Sequence, residues 1–242
     1  MQKKYIIKIT AGLAAIALTI AGAWYTAGTV RENHYISVST SQPEKQVIVL
    51  DAGHGGMDGG CVSINGDVEK NINLAILLNL KAMLQASGYE VLTTRETDTS
   101  IHDEGVEGIA NQKKSDMDNR LELFNSIKGA VCISIHQNQF TDPKYSGAQM
   151  FYSDTNSKNA ILAQTLQDQF VAFLQPDNQR ETKLCGKELF LCYYSKNPTV
   201  MAECGFLSNP EEAALLVTED YQQKVAFTIY SALVQYFANQ KH

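Results

Sequence analysis

The stretch Gln46–Glu69 reads QVIVLDAGHGGMDGGCVSINGDVE. It opens on a short apolar run, Val47-Ile48-Val49-Leu50, bounded by turn residues, which is the pattern of a buried strand. The apolar character then stops. Asp51, His54 and Asp58 follow inside a loop that holds Gly53, Gly55, Gly56, Gly59 and Gly60. Glycine takes positive φ freely and lets the backbone pass close to a bound group. A charged, histidine-bearing loop at the end of a core strand is where α/β proteins place ligands. Glycines alone would also fit a plain surface turn. No GK[ST] follows, and no G-x-G-x-x-G can be placed within Gly53–Gly60, which argues against a phosphate cradle. The loop favours a metal held through His54.

Outward from this stretch, the 242 residues suffice for one sizeable α/β domain. Apolar content of 44% and charged content of 19% are ordinary for a globular protein. The net charge of −6 argues against nucleic acid as a partner, which would call for a basic face. The N-terminus differs from the rest. Lys3, Lys4 and Lys8 precede an uncharged run from Ile9 to Val30, long enough to span a bilayer with its N-terminus inside. Ala21-Gly22-Ala23 resembles a signal cleavage site. Residues 1–30 are therefore a signal peptide or a membrane anchor. Either reading places the remainder outside the cytoplasm. Residues 31–45, with Ser37, Ser39, Ser41 and Pro43, read as a linker. The catalytic domain is expected over residues 46–242.

The five cysteines, Cys61, Cys132, Cys185, Cys192 and Cys204, lack CxxC spacing and do not read as a disulfide framework or zinc ribbon. A single bridge, Cys185–Cys192, stays open. A helix is expected from Val68 to Ser87, with Asp67 as N-cap and Gly88 as stop, and with Ile72, Ile76, Leu80, Met83 and Leu84 at helical spacing. Further strands are expected at Tyr89–Thr94, Ala130–Ile135, Gly147–Tyr152 and Thr199–Ala202. Helices are expected at Asp116–Asn125 and Lys158–Leu174, with two more opening at Pro210 and Asp220. Glu96–Gln112 reads as a loop bordering a cleft. Strands alternating with helices imply a mostly parallel sheet covered on both faces.

Three of these strands end close to a polar residue: His54, His136 and Glu203. Parallel strands would bring those ends to one edge. Catalytic zinc takes three protein ligands and an open position, and two histidines with a glutamate are one of its standard sets. His54 and His136 supply imidazoles, and Glu69, opening the helix after the glycine loop, is placed to supply the carboxylate. Singly, each residue also fits a structural role: a hydrogen-bonded core histidine, or a glutamate facing a helix dipole.

VIVLDAGHGGMDGG, VEKNINLAILLNLKAML, ISIHQN and MAECGFLSNPEEAALL together resemble the zinc-dependent N-acetylmuramoyl-L-alanine amidases of the Amidase_3 family. LTTRETD, DMDNRLELFNS, SGAQMFY and EDYQQKVAFTIYSALVQYF extend the resemblance over nearly all of Gln46–Phe237, in particular to the family's sporulation members. The resemblance implies zinc on His54, Glu69 and His136 with Glu203 as the catalytic glutamate. It further implies hydrolysis of the muramoyl–L-alanine amide of peptidoglycan in spore-cortex maturation, between the membranes of the developing spore. Some relatives need a lipoprotein partner. Rival readings are a zinc peptidase cutting stem peptides and a non-catalytic peptidoglycan binder.

Other positions carry lighter expectations. Asn138 either orients substrate or closes a turn, and Arg95 matches a family arginine near substrate. Arg120 either pairs with an acidic neighbour or touches substrate. Asp51 either accepts a hydrogen bond from a ligand histidine or caps its strand. His34, His102 and His242 read as solvated. Gln137, Ala202 and Cys204 depart from the family pattern and place the shape of the cleft in question.

Overall fold

The computed structural model describes residues 45–240. The expected membrane segment and nearly all of the linker, with His34 and His242, lie outside the described residues. Among the described residues, no helix is long and apolar enough to cross a membrane.

Six strands, β1 (Val47–Ala52), β2 (Glu90–Thr93), β3 (Val131–Asn138), β4 (Gln149–Tyr152), β5 (Lys183–Leu184) and β6 (Thr199–Phe206), form one sheet in the order β2-β1-β3-β6-β4-β5. Every pairing is parallel except β4 against β6. Helices α1 (Glu69–Ala86), α2 (Ile109–Asn125), α3 (Asn159–Phe173), α4 (Phe190–Tyr194), α5 (Pro210–Leu216) and α6 (Glu219–Asn239) complete the domain.

Successive side chains of a strand point to opposite faces, and here the faces differ in character. Ile48, Leu50 and Ala52 of β1, Val131, Ile133 and Ile135 of β3, and Val200, Ala202 and Cys204 of β6 join one large core with residues of α1, α3 and α6. The alternate residues Val49 and Cys132 belong to a smaller cluster with Phe124 and Leu191, from α2 and α4. Toward the carboxyl ends of the strands this second face turns polar. It carries Asp51, Ser134, His136 and Glu203, and there the cleft lies.

Several boundaries differ from expectation. α1 starts at Glu69 with Val68 as an N-cap that makes no side-chain bond. Asp67 instead accepts a 2.7 Å bond from Ser63 Oγ, and the helix start is held by the folded-back loop, Glu69 N to Cys61 O (2.9 Å) and Lys70 N to Gly59 O (3.1 Å). Gly88, at φ 87°, does end the helix region, as its αL freedom permits. α2 begins at Ile109 rather than Asp116, so the loop before it is shorter. β3 and β6 run past His136 and Glu203, which therefore sit inside their strands. β5 and α4 were not anticipated. Asn209 caps α5 by accepting from Glu211 N and Glu212 N, with Pro210 at the first turn, and α6 starts at Glu219 behind Thr218. All five cysteines are free thiols, so the Cys185–Cys192 bridge is not formed.

Candidate metal centre

β1 ends at Ala52, and Gly53 N still bonds Ile135 O of β3 at 3.0 Å, so the chain enters the loop tied to its neighbour. His54 follows at φ 65°, the one non-glycine residue with positive φ among the described residues. Such backbone is held only where the surroundings over-determine it, and Arg120 supplies the hold. Its Nη2 donates to His54 O (2.7 Å) and its Nη1 to Ala52 O (3.0 Å), while the guanidinium pairs with Asp51 and, at 2.7 Å, with Asp116. Of its two expected roles, Arg120 takes the acidic pairing. Asp51 takes neither role expected of it. It accepts from Arg120, Thr94 Oγ1 (2.8 Å) and Ser134 Oγ (2.6 Å), and makes no bond to a histidine.

Glu69 reaches the same point from the first turn of α1. Its Oε1 accepts from Asn73 Nδ2 (3.1 Å) and Gln137 N (3.1 Å), and its Oε2 from Cys61 N (2.9 Å). Two imidazole nitrogens complete the surround: His136 Nδ1 at 2.9 Å and His54 Nε2 at 3.1 Å. The other nitrogen of His54, Nδ1, faces Asp58 Oδ2 at 2.9 Å, which orients the ring. The two rings meet edge to face with centroids 4.9 Å apart. One ligand atom from each of His54, Glu69 and His136 lies within 4.8 Å of the others. The three residues proposed from sequence are thus brought together.

Glu203 lies opposite His136 in the β3–β6 register. Its Oε2 is sealed from solvent and has no hydrogen-bond partner among the described residues. Burial pushes its carboxyl up to about 7, against the pull of His136. Burial alone would raise Glu69 too, but its bonds to His136 and His54 hold it far below the usual carboxylate range. Burial pulls His136 down, and Glu69 more than offsets this, raising the imidazole to about 9. A buried carboxylate drawing two imidazoles around it is prepared for positive charge.

The packing confirms that the fit is built in. A Cβ on Gly53 would stand 2.2 Å from His136 Cε1, and one on Gly60 would stand 2.5 Å from Glu69 Oε2 and 2.6 Å from His54 Cδ2. These glycines leave room for the side chains of His54, Glu69 and His136, beyond the flexibility expected of the loop. Two imidazoles and a carboxylate are a donor set suited to zinc, so His54, Glu69 and His136 fit that ion.

Arg95, expected near substrate, lies beneath the glycine loop. It is 4% exposed, and its guanidinium donates to Ala52 O, Gly53 O, Lys70 O and Thr97 O, bracing the glycine loop. Asn138 is half-buried at the end of β3, where its side chain lines a groove beside Phe206. Gln137, Ala202 and Cys204 leave the cleft alone. Ala202 and Cys204 belong to the large core, and Gln137 is buried and donates to Asn73 Oδ1 at 3.1 Å. Sequence reasoning missed the parts played by Asp58 and Asn73. Each stands four residues from a ligand, a spacing that alone says little. Beside the three ligand residues, a cavity of about 320 Å³ opens toward α2 and α4, lined by Met57, Lys113, Met117, Glu188 and Phe190.

Comparison with known proteins identifies the family. The family model Amidase_3, described as N-acetylmuramoyl-L-alanine amidase, matches residues 48–235. The chain is 37% identical to the germination-specific N-acetylmuramoyl-L-alanine amidase of Bacillus subtilis over 79% of this chain and 80% of that protein. It is 27% identical to the N-acetylmuramoyl-L-alanine amidase AmiA of Escherichia coli over 98% of this chain and 92% of that one. Among solved structures, the CwlD amidase of Clostridioides difficile, in complex with the GerS lipoprotein, superposes with a TM-score of 0.77 at 36% identity, covering 80% of this chain and 99% of that one. The chain belongs to the Amidase_3 family and is a peptidoglycan N-acetylmuramoyl-L-alanine amidase.

Proposed function

We propose that the chain is a zinc-dependent amidase that removes stem peptides from muramic acid in the spore cortex, with His54, Glu69 and His136 as zinc ligands and Glu203 as general base and acid. The observation that carries the catalytic part is the unpartnered Oε2 of Glu203, buried one strand away from His136. A buried polar atom without a partner costs free energy, and its retention here fits a group whose partner is the reacting substrate.

An amide is a poor electrophile and water a weak nucleophile. Bound zinc supplies Lewis acidity, making water a stronger acid and an amide carbonyl more open to attack. Glu203, raised to about 7, takes the proton from the attacking water and returns it to the departing alanine nitrogen. Asp58 holds the ring of His54, and Asn73 and the Gln137 amide hold Glu69, so the ligand side chains are already gathered where the ion would bind.

The spore-cortex role is supported by the germination-specific relative, and a lipoprotein partner by the complex in which the C. difficile CwlD was solved. Residues 1–30 would deliver the domain outside the cytoplasm, as a cleaved signal or as an anchor.

Glu203→Gln is expected to lower turnover by roughly 10²–10⁴-fold while zinc content stays at the wild-type level. The measurement is mass spectrometry of digested peptidoglycan, with and without a chelator. Free stem peptides beginning with L-alanine support the assignment. Cleavage between amino acids would establish the peptidase instead. Stem-peptide removal prepares muramic acid for conversion to muramic-δ-lactam, so cortex from a deletion strain should lack that lactam.

A further inference from the structure

The reaction edge continues sideways beyond Glu203. Gln149 of β4 stands opposite Glu203 in register, and Phe151 of β4 stands opposite both Met201 of β6 and Lys183 of β5. Paired residues share a face, so His136, Glu203, Gln149, Phe151 and Lys183 line one surface at strand spacings of about 4.8 Å. A groove of about 310 Å³ runs along it.

Two cations stand in this groove. Arg180 lies across the Phe206 ring, with Cζ 4.5 Å from its centroid, and 5.7 Å from that of Tyr145. It is anchored through Nε to Ser146 O and through Nη1 to Gln149 Oε1, both at 2.9 Å, which leaves the rest of its fork with no protein acceptor among the described residues. The Lys183 ammonium lies 5.5 Å from the Phe151 centroid and is exposed. Among the described residues, neither cation has a carboxylate within ion-pair distance. The cavity on the other side of the metal centre contrasts with this. There Lys113 is matched by Asp58, and Arg120 by Asp51 and Asp116.

Resting on the amidase assignment, we infer that the Arg180–Lys183 groove is the subsite for the peptide half of the substrate and reads a free carboxylate one residue beyond the scissile bond. The chemistry of the two halves decides the direction. The glycan half is neutral, since the lactyl carboxyl is consumed in the amide. The peptide half carries carboxylates, and γ-linked glutamate next to L-alanine leaves its α-carboxyl free. Gln149, one strand from Glu203, holds the arginine fork within reach of that group. A planar guanidinium pre-positioned on an aromatic ring is suited to two-point recognition of a carboxylate.

The test compares L-alanyl-γ-D-glutamate peptides carrying a free α-carboxylate with the same peptides carrying a carboxamide. Binding is followed by NMR titration of the zinc-loaded protein, and cleavage by kcat/KM on the matching muropeptides. The carboxylate form is expected to bind about tenfold more tightly, with the preference falling in KM rather than kcat and shrinking as salt rises. Lys183→Gln and Arg180→Gln should each move the ratio toward one. The Lys183 side chain makes no hydrogen bond among the described residues, so its variant remains decisive if Arg180→Gln folds poorly. Equal or absent binding of both peptides to wild type, or a full preference retained in folded Lys183→Gln, overturns the subsite. If no muropeptide is cleaved at the muramoyl link, the amidase assignment fails, and the titration still decides what the groove binds.

Discussion

Replacing Gly53 by alanine adds one methyl group, changes no charge and removes no ligand. The added carbon would lie 2.2 Å from His136 Cε1, 2.3 Å from its Nε2 and 2.7 Å from its Nδ1. Carbon atoms in ordinary contact stand about 3.5–4.0 Å apart, so the ring must retreat by more than about an ångström. That movement breaks the 2.9 Å contact between His136 Nδ1 and Glu69 Oε1, since hydrogen bonds are lost at such stretching. Overpacking of this kind costs roughly 1–3 kcal/mol. Gly53 is not among the positive-φ glycines, so alanine recovers about 0.4–1 kcal/mol through the unfolded chain. A net loss of about 1–2 kcal/mol corresponds to a fall of roughly 2–8 °C in Tm for a domain of this size. Zinc affinity should fall more steeply, by about 10–100-fold, as when groups that orient ligands are disturbed. Chelator competition measures the affinity and thermal unfolding the stability. Gly59→Ala is the control: it has no positive φ, and its added carbon meets only Val68 Cγ1, at 3.2 Å. Zinc affinity in Gly53→Ala within twofold of wild type would refute the reasoning, because the ring would then not need the room the glycine leaves.

Three further outcomes are expected. Arg120→Met leaves Asp51 and Asp116 buried without their cation, which should destabilise the fold by about 3–5 kcal/mol in urea titrations. Asp58→Asn should weaken zinc binding by about 10-fold at unchanged stoichiometry, since His54 Nδ1 loses its charged partner. Although burial raises Asp51, the Arg120 guanidinium holds it below its ordinary 3.8 in the folded state. Its contribution to stability is therefore complete above about pH 4 and lost as pH falls through the lowered folded value. Acid unfolding followed by circular dichroism should steepen below that pH, and Asp51→Asn should flatten it.

Much of this arrangement is legible along the chain. The apolar runs at Val47–Leu50 and Val131–Ile135 mark the central strands because they are buried on both faces. His54, Glu69, His136 and Glu203 stand out as polar residues beside them. The first turns of α2 are a different matter. Residues 109–114 are almost wholly exposed, so they carry no apolar stripe to signal a helix. β5 has two residues and α4 five, too short for any periodicity, and the four residues of β4 do not reveal that it runs against β6. The pairing of Asp51 with Arg120 spans 69 positions. It depends on β1 and α2 meeting across one face of the sheet, which no local pattern encodes. The bracing by Arg95 is hidden for the same reason, since the carbonyls it bonds at Ala52, Gly53 and Lys70 lie far off along the chain.

The reversed direction of β4 has a consequence for how such enzymes diversify. Because β4 enters the sheet beside Glu203 rather than leaving there, the segments at 139–148 and 174–182 approach the groove as surface connections. Connections of this kind tolerate insertion and exchange far better than the strands they join. The strands bearing His136 and Glu203 have no such freedom, since their register sets those two side chains beside each other. If the groove is the peptide subsite inferred above, descendants of this fold can acquire a taste for a different peptide by altering those two segments while inheriting His54, Glu69, His136 and Glu203 unchanged.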